Sequence, residues 1–268
     1  RSRMIAKIRL ALGLLVLLPF TLVVIPIQIV SMNVARPVSR VLPIYWHRTV
    51  LRVIGVRVHV HGERPRARPM LIVSNHLSWS DIMVLGSLTR LCFVAKREVK
   101  TWPGINMLAW LQRTVFIDRT HRQQTARQAN TIARRMNQGD TMVLFAEGTT
   151  GDGYRIGPFK SALFGAVHAA LNDTPSGSVT VQPVAIAYTK LHGLPLGRLQ
   201  QPRAAWPGDV KLAPHLISFL LAGAYDVEVV FAEPETFSAD ANRKQIASSM
   251  HERVRTAYTD AIRMRFDA

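Results

Sequence analysis

The chain has 268 residues, with 34 Lys and Arg against 17 Asp and Glu and a single cysteine. This length allows either one large domain or one domain with an appendage. One cysteine excludes an intramolecular disulfide. Because Cys92 lies in the apolar run 91–95, it is predicted to be a buried core thiol, which favours a cytosolic face.

The basic excess is confined to the N-terminal half of the chain. Residues 1–140 contain 22 basic and 5 acidic residues, whereas residues 141–268 contain 12 of each. A field of this sign attracts anionic partners, of which three kinds are available: an acidic membrane surface, an acidic carrier or phosphorylated ligand, and nucleic acid. The segment that precedes most of these basic residues helps to decide among the three kinds of partner.

Residues 10–30 contain no charged residue and are long enough to cross about 30 Å of hydrocarbon. A cleaved signal peptide is disfavoured because the apolar core is too long and no small-residue cleavage site follows. A spanning helix, kinked by Pro19 and Pro26, and a helix that enters one leaflet and turns back both remain open. Basic residues on both sides give no inside–outside asymmetry. Either form attaches the chain to a membrane.

Residues 38–54 mix apolar residues with arginines, as an interfacial helix does. Residues 1–54 are therefore predicted to be N-terminal membrane-binding helices, and residues 55–268 a second domain. Nucleic acid is disfavoured as a partner because the charge adjoins an apolar segment and no stacking platform or recognition motif is visible.

After Gly55, apolar and polar residues alternate through 56–61, which is typical of a half-exposed strand. His59 and His61 share the polar side. No third ligand lies nearby in the sequence, so a solvated strand face is expected and no metal site is predicted.

Short apolar runs rich in Val, Ile and Phe predict buried strands at 70–73, 91–95, 114–117, 141–146, 181–187 and 227–231. Helices are predicted at 80–88, 122–138, 159–171 and 240–264. This alternation predicts an α/β fold with a largely parallel sheet flanked by helices, preceded by the membrane-binding helical segment. The segment 191–213, rich in proline and glycine, is predicted to be a long loop.

His76 and Asp81 lie five positions apart, directly after the strand at 70–73. A carboxylate bonded to one ring nitrogen of a histidine fixes the tautomer, so that the other nitrogen can take a proton from a hydroxyl. The pair is therefore a candidate general base with its orienting acid. A serine nucleophile at Ser78 is disfavoured because no Gly-x-Ser-x-Gly elbow is present.

Polar residues also follow the other predicted strands, where an α/β sheet builds its ligand sites. With these segments the chain resembles the lysophospholipid acyltransferase family, which includes 1-acylglycerol-3-phosphate acyltransferases. The residues that match are Asn75, His76 and Asp81, the Phe-Ile-Asp-Arg of 116–119, the Phe-Ala-Glu-Gly-Thr of 145–149, and the apolar Gln-Pro-Val-Ala of 182–185.

The resemblance implies that His76, polarised by Asp81, deprotonates the free hydroxyl of a lyso-lipid. The hydroxyl then attacks an acyl thioester of acyl carrier protein or coenzyme A, without an acyl-enzyme step. Backbone N–H groups after Asn75 are expected to stabilise the oxyanion. Neither a soluble cofactor nor a metal is implied. The predicted substrate-binding residues are Asn75, Lys96, Arg97, Arg119, Glu147, Gly148, Thr149, Thr150 and Asp152.

Departures from the family pattern bear on the acceptor. Relatives that act on glycerol phosphate lipids usually carry Arg or another polar residue after Glu-Gly-Thr, whereas this chain has Thr150 followed by Gly151 and Asp152. A carboxylate is a poor phosphate ligand but can pair with an amine. A family glycine three residues before the aromatic of Phe-Ile-Asp-Arg is Arg113 here.

Glu-Gly-Thr-Thr-Gly-Asp-Gly looks like the branch that acylates lyso-ornithine lipid, an aminolipid without phosphate. Lysophosphatidic acid is the alternative acceptor, since Lys96, Arg97, Arg113 and Arg119 would suit a phosphate. A basic membrane-binding protein without catalysis is a third, remote alternative. An inner (cytoplasmic) membrane is expected, with the site on its cytoplasmic side.

Overall fold

The structure, a computed structural model, describes residues 2–64, 66, 70–118, 122–173, 177–208, 210–238 and 240–264. Its strands are β1 (Val56–His61), β2 (Met70–Ser74), β3 (Cys92–Lys96), β4 (Val115–Ile117), β5 (Thr141–Phe145), β6 (Ser178–Leu191), β7 (Leu194–Pro195), β8 (Tyr225–Phe231) and β9 (Glu235–Ser238). Its α-helices are α1 (Ser2–Val34), α2 (Arg36–Ile54), α3 (Asp81–Gly86), α4 (Ile105–Leu111), α5 (Arg122–Asn137), α6 (Gly165–Asp173), α7 (Leu212–Ala222) and α8 (Arg243–Met264). Short 3-10 helices lie at Arg97–Thr101, Ser161–Phe164 and Arg198–Arg203.

The strands form one sheet in the order β1-β8-β6-β2-β5-β3-β4, with β7 and β9 also paired to β6. The pairs made by β2, β3, β4 and β5 are parallel, as is the pair of β1 with β8. The long strand β6 runs parallel to β2 but antiparallel to β7, β8 and β9. The predicted α/β fold with a largely parallel sheet is confirmed, with an antiparallel part around β6.

The strand β2 is central and entirely buried, which explains its unbroken apolar sequence. Successive side chains point to opposite faces of the sheet. Ile72 packs in a core with α2, α3, α7 and α8, whereas Leu71 and Val73 pack in a second core with α5, α6 and the start of α8. Because β2 and β5 are parallel and in register from Met70 to Ser74, their carboxyl ends lie side by side.

The helix α1 contains the predicted apolar segment, and it is one continuous helix of 33 residues that includes Pro19 and Pro26. Residues 4–34 are long and apolar enough to cross a membrane, and few of them are buried. The helix predicted over residues 38–54 is present as α2. It ends at Gly55, whose φ of 76° is favourable for glycine.

Three hydrogen bonds fix α1 along the flank of the protein. The Arg9 guanidinium donates to Leu220 O of α7 at 2.9 Å, and Trp46 Nε1 of α2 donates to Thr21 Oγ1 at 2.9 Å. Gln28 Nε2 donates to Leu111 O of α4, also at 2.9 Å. Residues 9 and 28 are about 28 Å apart along a helix that rises 1.5 Å per residue. Contact therefore extends along most of α1 and is not confined to one end.

The face of α1 that points away from the protein is apolar. Exposed side chains on it are Met4, Ile5, Ile8, Leu12, Leu15, Leu18, Leu22, Val23, Ile27, Val30 and Val34. Met107 and Trp110 of α4 and Ile217 of α7 are also exposed. An apolar surface of this extent is suited to a membrane. The predicted boundary at residue 55 falls between α2 and β1, and the division into two domains stays a prediction.

Two helices were not predicted, and one predicted loop was partly wrong. The helix α4 has only 7 residues, and its Met107 and Trp110 are exposed. Apolar residues on the exposed side hide the helical periodicity of the sequence. The segment 191–213 was predicted as a loop from its proline content. It contains β7, the 3-10 helix at Arg198–Arg203 and the start of α7, whose Pro214 lies in the first turn, where proline is tolerated.

A buried carboxylate ties the helical hairpin of α1 and α2 to the sheet domain. Asp140, whose side chain is 4% exposed, pairs with Arg40 of α2 at 3.1 Å and with Arg113 and Arg135 at 3.0 Å each. Arg113 has a positive φ of 59°, the conformation that explains the family glycine at this position. Its carbonyl oxygen accepts from Arg135 Nη1, and its side chain is committed to Asp140.

We expect Asp140→Asn to destabilise the protein by about 2 kcal/mol, because three partly buried arginines lose one shared counter-charge. The matched control is Asp260→Asn, which removes an exposed carboxylate of α8 and should change stability by less than about 0.5 kcal/mol. Thermal denaturation in detergent measures both. Equal melting temperatures for the two variants would contradict the role assigned to Asp140.

Candidate active site

His76 and Asp81 meet as the sequence predicted. His76 follows the carboxyl end of β2, and Asp81 opens α3 after a tight turn. His76 Nδ1 lies 2.8 Å from Asp81 Oδ2. A carboxylate accepts only, so Nδ1 carries the proton and Nε2 is left with a free lone pair. The imidazole stacks on Phe145 of β5 at a centroid distance of 3.9 Å, which fixes the plane of the ring.

Asp81 is completely buried and is held by four donors. Its Oδ2 accepts from the backbone N–H of Leu77 at 2.7 Å and of Ser78 at 2.9 Å, in addition to His76. Its Oδ1 accepts from the hydroxyl of Tyr188 at 2.8 Å. A buried charge is tolerated when it is satisfied in this way. The carboxylate is thus a fixed negative charge beside the histidine.

Tyr188 of β6 was not predicted as a site residue. It is completely buried, and its oxygen also lies 2.6 Å from Ser80 Oγ. Burial, and the nearby Asp81 charge, raise the pKa of Tyr188 well above its usual value, so the phenol stays protonated and donates. Its separation from Asp81 by 107 residues left no local sequence signal.

The backbone N–H groups that follow Asn75 were expected to stabilise an oxyanion, and the structure gives them other partners. The N–H of His76 donates to Glu147 Oε1 at 2.9 Å, and those of Leu77 and Ser78 donate to Asp81. These three donors are already used to shape the turn. Thr149 and Thr150, which carry hydroxyl donors, are among the residues that line the cavity described below.

Glu147, in the segment 145–149, contacts the turn that carries His76. Its Oε1 accepts from His76 N, and its Oε2 accepts from Gly157 N at 2.7 Å. Burial raises the pKa of the Glu147 carboxyl to about 7, against the effect of these two hydrogen bonds. Glu147 is 6% exposed and does not line the cavity. The predicted contact of Glu147 with the acceptor stays a prediction, whereas the structure shows its hydrogen bond to the His76 turn.

Asn75 is also buried and is not among the residues that line the cavity. Its Nδ2 donates to Ile186 O at 2.9 Å, and its Oδ1 accepts from Ile186 N at 2.8 Å. Both ends of the amide therefore bind the backbone of β6 at the position where β2 ends. Substrate binding by Asn75 stays a prediction, and the contacts that the structure shows fix the start of the His76 turn.

A cavity of about 890 Å³ opens beside His76. Its walls are mostly apolar and come from α1, α2, α3, α4, α7 and β3. Two buried polar residues of the wall are hydrogen-bonded, His47 Nε2 to Gln112 Oε1 and Gln28 Nε2 to the carbonyl oxygens of Ser39 and Leu111. The buried His47 Nδ1 has no hydrogen-bond partner among the described residues. Burial lowers the pKa of His47 to about 4, so this wall is uncharged near neutral pH. Such a space fits a long apolar chain.

The rim near His76 contains several of the predicted binding residues. Lys96, Gly148, Thr149 and Thr150 line the cavity, and Gly148 has a φ of 76° that favours glycine. The loop 206–208 closes over them, since a Cβ on Gly208 would meet Thr149 Oγ1. Trp206 of this loop donates its backbone N–H to Leu77 O at 2.7 Å.

Other predicted residues lie elsewhere. Arg97 pairs with Asp118 at 2.8 Å and is not among the lining residues. Asp152 is exposed, accepts from Tyr154 N at 2.9 Å and does not line the cavity either. Arg119 lies outside the described residues. The substrate contacts predicted for Arg97, Asp152 and Arg119 therefore stay predictions.

Charged residues that the sequence did not single out do reach the cavity. Glu98 lies in the 3-10 helix after β3, and Lys211 directly precedes α7. The position of Glu98 beside Lys96 at a strand end was the available signal. No group of three metal-ligating side chains occurs in the described part of the chain. His59 and His61 instead bond Asp226 and Glu228 of β8.

We expect the stability advantage of wild-type protein over Glu147→Gln to shrink as pH rises from about 5 to about 8. The folded pKa of about 7 exceeds the ordinary 4.5, so proton binding stabilises the folded state and this contribution is lost through that window. Denaturation at several pH values measures it. Glu233→Gln, which removes an exposed carboxylate, is the control, and a constant difference for Glu147→Gln would contradict the expectation.

The family model described as Acyltransferase matches residues 56–187. Lyso-ornithine lipid O-acyltransferase of Brucella abortus is 47% identical over 97% of each chain, and that of Rhizobium meliloti is 45% identical over 98% of this chain and 90% of its own. The crystal structure of the 1-acyl-sn-glycerophosphate acyltransferase PlsC from Thermotoga maritima shares the fold, with a TM-score of 0.63 at 22% identity over 96% of this chain and 97% of its own. With the relatives matched over nearly their whole length and the His76–Asp81 pair in place, the chain belongs to the acyltransferase family and is an acyltransferase.

Proposed function

We propose that the chain transfers a fatty acyl group from an acyl thioester to the free hydroxyl of lyso-ornithine lipid in membrane lipid biosynthesis. The observation that carries the proposal is the His76–Asp81 pair opening onto an apolar cavity of about 890 Å³. The names of two relatives matched over nearly the whole chain support the acceptor. So does Thr150, a neutral hydroxyl residue at the position where relatives that act on glycerol phosphate lipids usually carry Arg or another polar residue.

The proton transfer follows from the hydrogen bonds at His76. With Nδ1–H donated to Asp81, Nε2 accepts the proton of the acceptor hydroxyl as its oxygen attacks the thioester carbonyl. The buried carboxylate stabilises the imidazolium that forms, and Tyr188 keeps that carboxylate in place. The collapse of the tetrahedral intermediate expels the thiolate, which takes the proton from Nε2. The ester forms without an acyl-enzyme, and His76 returns to its starting state.

The apolar wall of the cavity supports a lipid substrate. Val24 and Ile25 of α1 and Trp46 of α2 line it, so the helices that face the membrane also bound the site. We infer that α1 lies along the membrane surface, because polar contacts at Arg9, Thr21 and Gln28 tie it to the protein along its length. A lipid acceptor can then enter the cavity laterally from the bilayer.

The acyl donor and the compartment belong to the same proposal. The thioester is that of acyl carrier protein or coenzyme A, and both are anionic, as the basic N-terminal half favours. The membrane is the inner (cytoplasmic) one, with the site on its cytoplasmic side. The free buried thiol of Cys92 agrees with a reducing compartment. Neither a metal nor a soluble cofactor enters the proposed reaction.

Replacing Tyr188 by Phe is expected to lower kcat about tenfold with little change in KM, because Asp81 Oδ1 loses its donor while the cavity keeps its shape. Tyr225→Phe is the matched control. Tyr225 is equally buried and bonds Arg203 O at 3.0 Å, with no contact to Asp81. Equal losses of kcat in both variants would show that packing, and not the orientation of Asp81, sets the rate.

The function is tested with purified protein in vesicles that contain lyso-ornithine lipid or lysophosphatidic acid, with both thioester donors supplied in parallel. We expect lyso-ornithine lipid to be preferred, and His76→Ala to lower turnover about a hundredfold or more. Sedimentation with vesicles should be unchanged in that variant. His61→Ala, on the edge strand β1 and outside the cavity lining, is the control.

A clear preference for lysophosphatidic acid would replace the proposed acceptor by the alternative one, in which the product is phosphatidic acid. Undiminished turnover by His76→Ala would rule out the base mechanism. Absence of acyl transfer to either acceptor, with vesicle binding intact, would favour the remote alternative of a non-catalytic membrane-binding protein.

A further inference from the structure

The rim of the cavity carries charges of both signs. Among the described residues that line it, the side chains that are charged near neutral pH are Lys96, Glu98 and Lys211, apart from the titratable His76. No described residue pairs with the Glu98 carboxylate, and Glu98 is exposed. A site for a phosphate would gather cations around one anion. A cavity rim with one carboxylate and two ammonium groups instead fits a ligand that carries both charges.

These charges lie at the same edge of the sheet as the catalytic pair. Lys96 ends β3 and Glu98 follows it, and β3 runs parallel to β5 and β4. His76 and Thr149 follow the carboxyl ends of β2 and β5 at that edge. Lys211 also lines the cavity, three residues after Gly208, where a Cβ would meet Thr149. A headgroup at this edge is therefore within the same cavity as His76.

We propose that Glu98 binds the side-chain ammonium of the acceptor headgroup, while Lys96 and Lys211 receive its carboxylate. This inference rests on the proposed function, since ornithine that is acylated on its α-amine retains one ammonium and one carboxylate. Lysophosphatidic acid carries a phosphate and no ammonium. The sign of the charge at residue 98 therefore distinguishes the two acceptors, and Glu98 is a specificity-determining residue.

The other carboxylates near the site do not have this position. Both oxygens of Glu147 hold backbone N–H groups, and Asp81 is enclosed by four donors. Asp152, which the sequence suggested as the amine partner, is exposed outside the cavity and holds Tyr154 N. Among the described acidic residues, Glu98 is the one that lines the cavity, and no described residue pairs with its carboxylate.

Two tryptophans lie close to each other in the lining of the same cavity. Trp102 follows the 3-10 helix that contains Glu98, and Trp206 lies on the facing loop, with their ring centroids 6.3 Å apart in an edge-to-face arrangement. Both line the cavity. Indole faces attract organic cations, and they also exclude water from a headgroup. Their presence favours an ammonium group over a hydrated phosphate at this rim.

The test compares lyso-ornithine lipid with the same lipid acetylated on its side-chain amine, which removes the positive charge. For wild-type protein we expect acetylation to lower kcat/KM about tenfold, the effect of losing one charge-assisted hydrogen bond at an accessible site. For Glu98→Gln we expect kcat/KM with the unmodified lipid to fall by a similar factor and acetylation to have little further effect. Glu252→Gln, an exposed carboxylate of α8, is the control and should behave as wild type.

A second variant, Glu98→Lys, tests for a gain in relative activity toward lysophosphatidic acid rather than only for a loss of activity. We expect it to lower kcat/KM for lyso-ornithine lipid further and to raise the ratio of lysophosphatidic acid to lyso-ornithine lipid turnover about tenfold or more over wild type. If wild type uses lyso-ornithine lipid but Glu98→Gln still discriminates against the acetylated lipid, the assignment of Glu98 is overturned and the proposed function stands. If wild type prefers lysophosphatidic acid, the proposed function itself fails.

Discussion

The arrangement of the site depends on one buried carboxylate. Asp81 has no exposed surface, and an ionised carboxylate there is tolerated only because four hydrogen-bond donors converge on it. Two of these are backbone N–H groups of the turn at 77–78, so the charge itself shapes the loop that carries His76. The same hydrogen bonds therefore set both the catalytic geometry and the local fold of the turn, so a change in one changes the other.

The central strand β6 and the segment after β5 hold this turn from two sides. Asn75 binds the backbone of Ile186 in β6, and Tyr188 in the same strand completes the shell of Asp81. Glu147, after β5, binds the N–H of His76. Because β2 lies between β5 and β6, each neighbour contributes one polar side chain to the turn. Residues predicted to bind substrate thus also support the base.

Sequence alone predicted the parts of the site that are local. His76 and Asp81 are five residues apart, and their strand and helix follow from periodicity, so the pair could be recognised. Tyr188 could not, because strand pairing brings it to the site. For Glu98 the sequence offered only its position at a strand end, since its place in the cavity lining depends on the tertiary fold. The loop predicted at 191–213 was partly wrong for a related reason. Tertiary packing gives this proline-rich segment helical structure that its composition disfavours.

The distribution of charge shows why net charge is a poor guide to the acceptor. Several arginines of the N-terminal half pair with a buried acid, as Arg40, Arg113 and Arg135 do with Asp140. Arg97 pairs with Asp118 and does not line the cavity. What a headgroup meets is the rim, where cations and a carboxylate are mixed. Long-range attraction to an anionic membrane or donor and short-range choice of acceptor are then separate properties, carried by different residues. A cation-rich chain can for this reason select an acceptor by its ammonium group.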